Sequence, residues 1–348
     1  MDPLVLIFLT SGLFLGWALG ANDAANVFGT AVGTKMVSFR TAAIICSVFV
    51  ILGAVISGAG ASHTLGKLGA ISALPGAFMT ALSAALAVYT MTKSGLPVST
   101  SQAIVGAIVG WNLFSGNPTD GATLTKILST WIICPVLSAA IAVTLFKSLN
   151  FFKKRVKVHL IMADAYTRLA LILAGALGAY SLGANNIANV VGVFIPVQPL
   201  PPVQLGNFVF SSTQQLFLLG GLAISLGVFT YSKRVMMTVG NSLGRLSSTA
   251  ALVAVISHSI VLFLFASRGL EAWLAGNGLP TIPLVPVSSS QAVVGAVVGI
   301  SILQGTAGIR WSVLGKIVAG WIVTPIAAGL ISFIGLFFLQ NVFGLAVV

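Results

Sequence analysis

Ten apolar runs, near residues 4 to 33, 41 to 59, 71 to 91, 97 to 113, 123 to 147, 163 to 195, 214 to 230, 247 to 265, 286 to 303 and 312 to 346, take up most of this 348-residue chain. Segments of that length and apolarity belong in a bilayer, where a backbone that closes its own hydrogen bonds is a helix. Charged residues make up only 6% of the sequence, against about 25% in a soluble domain, so the chain could not cover a water-facing surface. The expected fold is an all-α polytopic membrane protein of 10 to 12 transmembrane segments. Several runs exceed the roughly 20 residues that one crossing needs, which makes them candidates for broken helices.

Polar motifs interrupt these runs twice, in the same order. Gly20-Ala21-Asn22-Asp23-Ala24-Ala25-Asn26 recurs as Gly183-Ala184-Asn185-Asn186-Ile187-Ala188-Asn189. Pro97-Val98-Ser99-Thr100-Ser101-Gln102 recurs as Pro286-Val287-Ser288-Ser289-Ser290-Gln291, and Trp131-Ile132-Ile133-Cys134-Pro135 as Trp321-Ile322-Val323-Thr324-Pro325. The offset between copies grows from 163 residues at the first motif to 189 and 190 at the later two. Loop insertions in the second copy explain the growth, the proline-rich stretch 196 to 202 being the obvious one. Thr64-Leu65-Gly66 against Thr238-Val239-Gly240 falls between, at 174. Residues 1–158 and 159–348 are therefore expected to be two repeats of about five crossings each. An odd number of crossings inverts the second, which is the architecture of many secondary transporters.

Charge tests this topology independently. The formal charge of +12 comes from 17 Lys and Arg against 5 acids. In a soluble protein it would suggest nucleic acid, but here the bases sit in short loops between apolar runs, so no nucleic-acid partner is expected. With the N-terminus outside, fourteen bases fall on the cytoplasmic side, among them Lys35, Arg40, Lys93 and the cluster Lys153, Lys154, Arg155 and Lys157. Only Lys67, Lys126 and Arg268 fall outside. That bias obeys the positive-inside rule, leaves both termini outside and puts the central basic loop against cytoplasmic lipid headgroups. The first run lacks the basic flank of a signal peptide and is expected to be a retained span. Cys46 and Cys134, far apart inside apolar runs, read as packing residues rather than a disulfide or metal site.

The two asparagine motifs and the two serine motifs ask for different ligands. Asn22, Asp23 and Asn26 lie within about one helical turn, as do Asn185, Asn186 and Asn189. Oxygen-bearing side chains, joined by carbonyls wherever the helix unwinds, suit a hard alkali cation such as sodium. Burying an unpaired carboxylate otherwise costs too much. The glycines have a plainer reading, since Gly16 and Gly20, Gly29 and Gly33, Gly106 and Gly110, and Gly295 and Gly299 fit the small-xxx-small pattern of packed membrane helices. In the serine motifs a proline and a good N-cap precede an apolar run, so each copy is expected to open a helix. Helix starts offer free N–H groups and partial positive charge, and Ser99, Thr100, Ser101, Ser288, Ser289 and Ser290 add hydroxyls. Together with Gln102 and Gln291 they make an oxyanion site without a formal cation. Simple capping is the plainer reading.

In combination and order, these motifs resemble the inorganic phosphate transporter family, the sodium/phosphate symporters with an inverted-repeat signature, from the first span to the last. The short central loop is similar to that of compact prokaryotic members. The resemblance implies inorganic phosphate as substrate, sodium or a proton as coupling ion, a homodimer in the cell's inner (plasma) membrane, and no other cofactor. The family's second motif usually carries Asp where this chain has Asn186. This chain therefore has one acid fewer than a symmetrical pair of carboxylate-based cation sites requires.

The expected mechanism is alternating access, with sodium and phosphate sharing one midplane cavity. A sulfate permease of the same architecture and an anion channel are the alternatives. No nucleophile-base-oxyanion constellation, phosphate-binding loop of an ATPase or transition-metal cluster is visible, so an enzyme or ATP-driven pump is not expected. His63, His159 and His258 read as structural or solvated, Trp131 and Trp321 as belt or packing residues, and Asp164 with Arg168 as an i,i+4 pair.

Overall fold

A computed structural model of the chain describes residues 3–93, 98–155, 159–206, 208–242, 246–305 and 310–348. Pro97, Lys157 and Arg245 lie outside the described residues. In the first half α1 (Pro3–Gly33), α2 (Phe39–Ser57), α3 (Ala59–Leu68), α4 (Leu74–Lys93), α5 (Thr100–Ser115) and α6 (Gly121–Arg155) follow one another. The second half contains α7 (Leu160–Val191), a 3-10 turn, β1 (Val203–Leu205), β2 (Phe208–Phe210), α8 (Ser212–Thr230), α9 (Ser232–Ser242), α10 (Ser248–Leu264), α11 (Arg268–Gly276), α12 (Ser289–Gln304) and α13 (Trp311–Asn341). The small antiparallel hairpin pairs Val203 with Phe210. It lies just after the proline-rich insertion and is a departure from an otherwise helical protein.

Among the described residues seven helices are long and apolar enough to cross a membrane, or eight if the bent pair α10 and α11 counts as one span. The remaining apolar runs form shorter pieces. Helices α5 and α12 have 16 residues each, about 24 Å at 1.5 Å per residue, less than the roughly 30 Å of hydrocarbon. Their predicted starts hold: Ser99 caps α5 and Ser288 caps α12, each accepting from a backbone N–H three residues on. Besides the bend between α10 and α11, the discontinuities sit here, where extended chain runs into a short helix. They do not sit in the longest runs, since α1, α6, α7 and α13 are each continuous over 31 to 35 residues. No unwound stretch therefore frees backbone carbonyls at Asn22 to Asn26 or at Asn185 to Asn189. In an apolar setting the helix keeps its i to i−4 bonds, and only side chains leave it to act.

Each half packs on the other with partners exchanged: α5 lies on α13 and α12 on α6, while α1 contacts α8 and α9 and α7 contacts α2 and α3. Backbones touch at matched places. A Cβ on Gly106 would fall 2.1 Å from the carbonyl oxygen of Pro325, and one on Gly295 2.2 Å from that of Pro135. Gly20 and Gly183 meet the carbonyls of Ile224 and Val50 in the same way, at 1.9 and 2.1 Å. Packing thus accounts for these glycines, and for Gly16, Gly110 and Gly299 as well. Both cysteines are free and buried, and Asp164 pairs with Arg168 at 3.6 Å on an exposed helix face, a contact of little energetic weight.

Candidate functional site

Two buried amides hold the chain where it enters the short helices α5 and α12. Asn22 Oδ1 accepts from the N–H of Val98 at 3.2 Å, and Asn185 Oδ1 accepts from the N–H of Val287 at 2.8 Å. On their other side, Asn22 donates to Thr92 Oγ1 at 3.1 Å and Asn185 to the carbonyl of Val285 at 3.0 Å. These residues position the serine motifs. Ser99 and Ser288, whose hydroxyls accept from Gln102 N–H and Gln291 N–H at 3.2 Å each, serve as caps.

The remaining motif residues meet one another in the space so framed. Asn186 Nδ2 lies 3.4 Å from Asp23 Oδ2, and Asn26 Nδ2 lies 3.5 Å from Asp23 Oδ1, both long contacts. Asn26 also donates to Ser289 Oγ at 3.2 Å, while Asn189 donates to Ser101 Oγ at 2.8 Å and reaches Asn186 Oδ1 at 3.4 Å. Ser101 donates to the carbonyl of Val287 at 3.0 Å, and Ser288 and Ser290 share a hydrogen bond. All fourteen predicted residues belong to this region, and none is more than 3% exposed. The region is buried from solvent.

Most of its unmet groups are acceptors, the Thr100 hydroxyl and His258 Nδ1 being able to donate as well. Asn26 Oδ1, Asn189 Oδ1, Gln102 Oε1, Gln291 Oε1 and Thr100 Oγ1 are buried without a hydrogen-bond partner. Four of these are amide oxygens in two matched pairs. Beside them Asp23 has only amide donors at long range, and among the described residues the one ion pair is the remote Asp164–Arg168. A buried polar group left unpaired costs about 1 to 3 kcal/mol, and a charged one more. Asp23 with the asparagine oxygens fits a cation held by oxygen ligands. Next to it the first turns of α5 and α12 present N–H groups that have no intrahelical partner, which fits an anion.

His258 belongs here too, although its sequence context suggested a structural role. Its Nε2 lies 2.9 Å from Ser289 Oγ. A lone imidazole deep in the run 247 to 265 was the available signal, because an ionisable group at membrane depth is by default functional. Cys134, on α6, donates through Sγ to the carbonyl of Ser288 at 3.6 Å. Trp131 and Trp321 are half-buried with their indole N–H groups unpartnered. The other two histidines lie apart from this network, His63 beside an outward cavity and His159 at the start of α7.

Likeness to known proteins agrees with this geometry. A protein of Thermococcus kodakarensis provisionally named a phosphate permease is 26% identical, with 95% of this chain and 97% of that protein covered. The sulfate permease CysP of Bacillus subtilis is 28% identical over 92% of this chain and 84% of its own length. A solved structure of the sodium-dependent phosphate transporter superposes with a TM-score of 0.77 at 22% identity, covering 97% and 98% of the two chains, so the fold is the same. Residues 19–332 match the model of the phosphate transporter family, a span that holds both asparagine motifs, both serine motifs and His258, and the chain belongs to that family.

Proposed function

We propose that the protein imports inorganic phosphate by sodium symport, alternating the access of one buried site between the two sides of the membrane. The observation that carries this reading is Asp23: a carboxylate 2% exposed, met only by amides, beside two helix starts. Sodium is held by Asp23 and the side-chain oxygens of Asn26, Asn186 and Asn189, and the amides of Gln102 and Gln291 are left to the anion. Phosphate is held by the N–H groups opening α5 and α12 and by the hydroxyls of Thr100, Ser289 and Ser290. Asn22, Asn185, Ser99 and Ser288 keep those helix starts in place. Binding by dipoles rather than by lysine or arginine leaves the anion releasable.

Coupling follows from charge. Moving a phosphate dianion inward against an inside-negative potential costs about 2.3 kcal/mol per charge per 100 mV. Two sodium ions neutralise the load and a third makes the step electrogenic inward. The repeats 1–158 and 159–348 are read as inverted, with both termini outside and the basic loop cytoplasmic. The exchanged packing of α5 on α13 and α12 on α6 supports the pairing of two repeats, and the distribution of bases supports the sidedness.

Sulfate transport is the second reading, favoured by the likeness to CysP. Uptake of labelled phosphate and of labelled sulfate into proteoliposomes, with sodium and proton gradients imposed separately, tests both. Concentrative phosphate uptake under a sodium gradient is the expected result, and sulfate uptake in its place overturns the substrate.

A further inference from the structure

On the side assigned to the exterior, a cavity of about 770 Å³ opens between α3, the start of α6, α11 and the chain leading into α12. Lys67, Lys126 and Arg268 all line it. They come from three elements far apart in sequence, and they are the only bases that the topology leaves outside. A face that the positive-inside rule depletes of cations has gathered its few in one mouth. Two acids share the cavity, and both are committed to helix ends. Asp120 accepts from Ala122 N–H at 3.1 Å and from the Thr123 hydroxyl at 2.5 Å, a hydrogen bond that holds its carboxyl below the usual range. Glu271 lies in the first turn of α11, where negative charge is favoured. Among the described residues none of the three cations is in an ion pair, and Arg268 is aimed by its bond to the carbonyl of Ala59 at 3.0 Å.

The floor of the mouth is continuous with the buried site. Thr64 donates to the carbonyl of Leu284 at 2.5 Å, and the next carbonyl, of Val285, takes the amide of Asn185. Two residues later Val287 binds that same amide and Ser288 caps α12. An anion resting against the cations is thus one short stretch of chain from the helix start that would receive it.

We propose that Lys67, Lys126 and Arg268 form a weak outer oxyanion site, separate from the buried one, that concentrates phosphate before it is taken up. The proposal rests on the phosphate reading for its ligand. Weakness suits the role: the groups are exposed and water-screened, so the anion is held loosely enough to pass on. With three cations against two acids the mouth keeps an excess of positive charge, and such an excess raises the local concentration of an anionic substrate, an effect that falls with ionic strength.

The test is uptake by full-length protein in vesicles of phosphatidylcholine alone, where no anionic headgroup competes. The triple variant Lys67→Gln, Lys126→Gln, Arg268→Gln should raise KM for phosphate about tenfold at low ionic strength with kcat held. The difference should shrink at high salt, as the Debye length falls from about 30 Å at 0.01 M to about 8 Å at 0.15 M. A charge-keeping variant, Lys67→Arg with Lys126→Arg and Arg268→Lys, should retain the low KM. An unchanged KM in the glutamine variant, a loss confined to kcat, or a rise independent of salt overturns the outer site. So does a rise that appears only when phosphatidylglycerol is added, which would assign the cations to lipid. Should the wild type carry sulfate and not phosphate, the substrate reading fails, and the same KM comparison made with sulfate still decides the mouth.

Discussion

Asp23 on α1 and Asn186 on α7 face each other across the middle of the protein, Asn186 Nδ2 lying 3.4 Å from Asp23 Oδ2. They occupy the same position in the two copies of one motif, so the halves meet at a carboxylate on one side and an amide on the other.

Asp23→Asn is expected to abolish most sodium dependence while the folded yield stays close to wild type, since the amide keeps the shape and loses the charge. Wild-type stimulation of phosphate uptake by sodium in this variant refutes the cation assignment. Asn186→Asp should act in the other direction. Two carboxylates at this separation repel unless a cation lies between them, so sodium affinity or coupling ratio should rise.

Asn22 and Asn185 should behave differently from their neighbours, because their amides hold backbone. Asn185→Ala strands the buried N–H of Val287 and the carbonyl of Val285, at about 1 to 3 kcal/mol for an unpaired group. Thermal unfolding in detergent should shift down, together with uptake. Asn189→Ala, whose oxygen has no partner, should lower sodium affinity with a smaller loss of stability. Equal melting temperatures for Asn185→Ala and wild type would remove the clamp.

Close approach makes one glycine sensitive to substitution and leaves another tolerant, although the two are the same residue type. Gly295→Ala places a methyl 2.2 Å from the Pro135 carbonyl oxygen and should cost folded, monodisperse protein. Gly315→Ala, with nothing within 4 Å, should express as well as wild type. Size-exclusion profiles of the two variants check this, and similar profiles would mean that α12 and α6 are not in backbone contact.

His258→Gln should raise KM for phosphate severalfold, because Ser289 loses the imidazole at 2.9 Å that sets its hydroxyl. His258→Ala should do the same or more. An unchanged KM in both returns His258 to a packing role.

Selectivity is the last expectation. Phosphate keeps a proton near neutral pH and can donate it, whereas sulfate cannot. An acceptor such as Gln102 Oε1 or Gln291 Oε1, both free, gains a bond with phosphate and stays unpaired with sulfate. At about 1 to 3 kcal/mol this favours phosphate by about fivefold to somewhat over a hundredfold. Excess arsenate should compete with labelled phosphate and sulfate should not; equal competition by both refutes the role of the two glutamines.

The sequence by itself determined the helical membrane class, the two matched sets of buried polar residues and the starts of α5 and α12. Those signals are local. An apolar run, a capping serine or a motif spacing acts within a turn or two of chain, so it can be read in one dimension. The tertiary structure alone decided which oxygens remain free. Asn22 and Asn26 look alike in sequence, yet Asn22 is bound to chain 70 and 76 residues away, while Asn26 reaches Ser289, 263 residues away, and keeps an unpartnered oxygen. Tertiary packing likewise kept α1 and α7 unbroken, brought His258 to Ser289 and gathered Lys67, Lys126 and Arg268 at one mouth. A lone pair is spent or spared by whatever the fold brings against it, and in the bilayer no water supplies the missing partner.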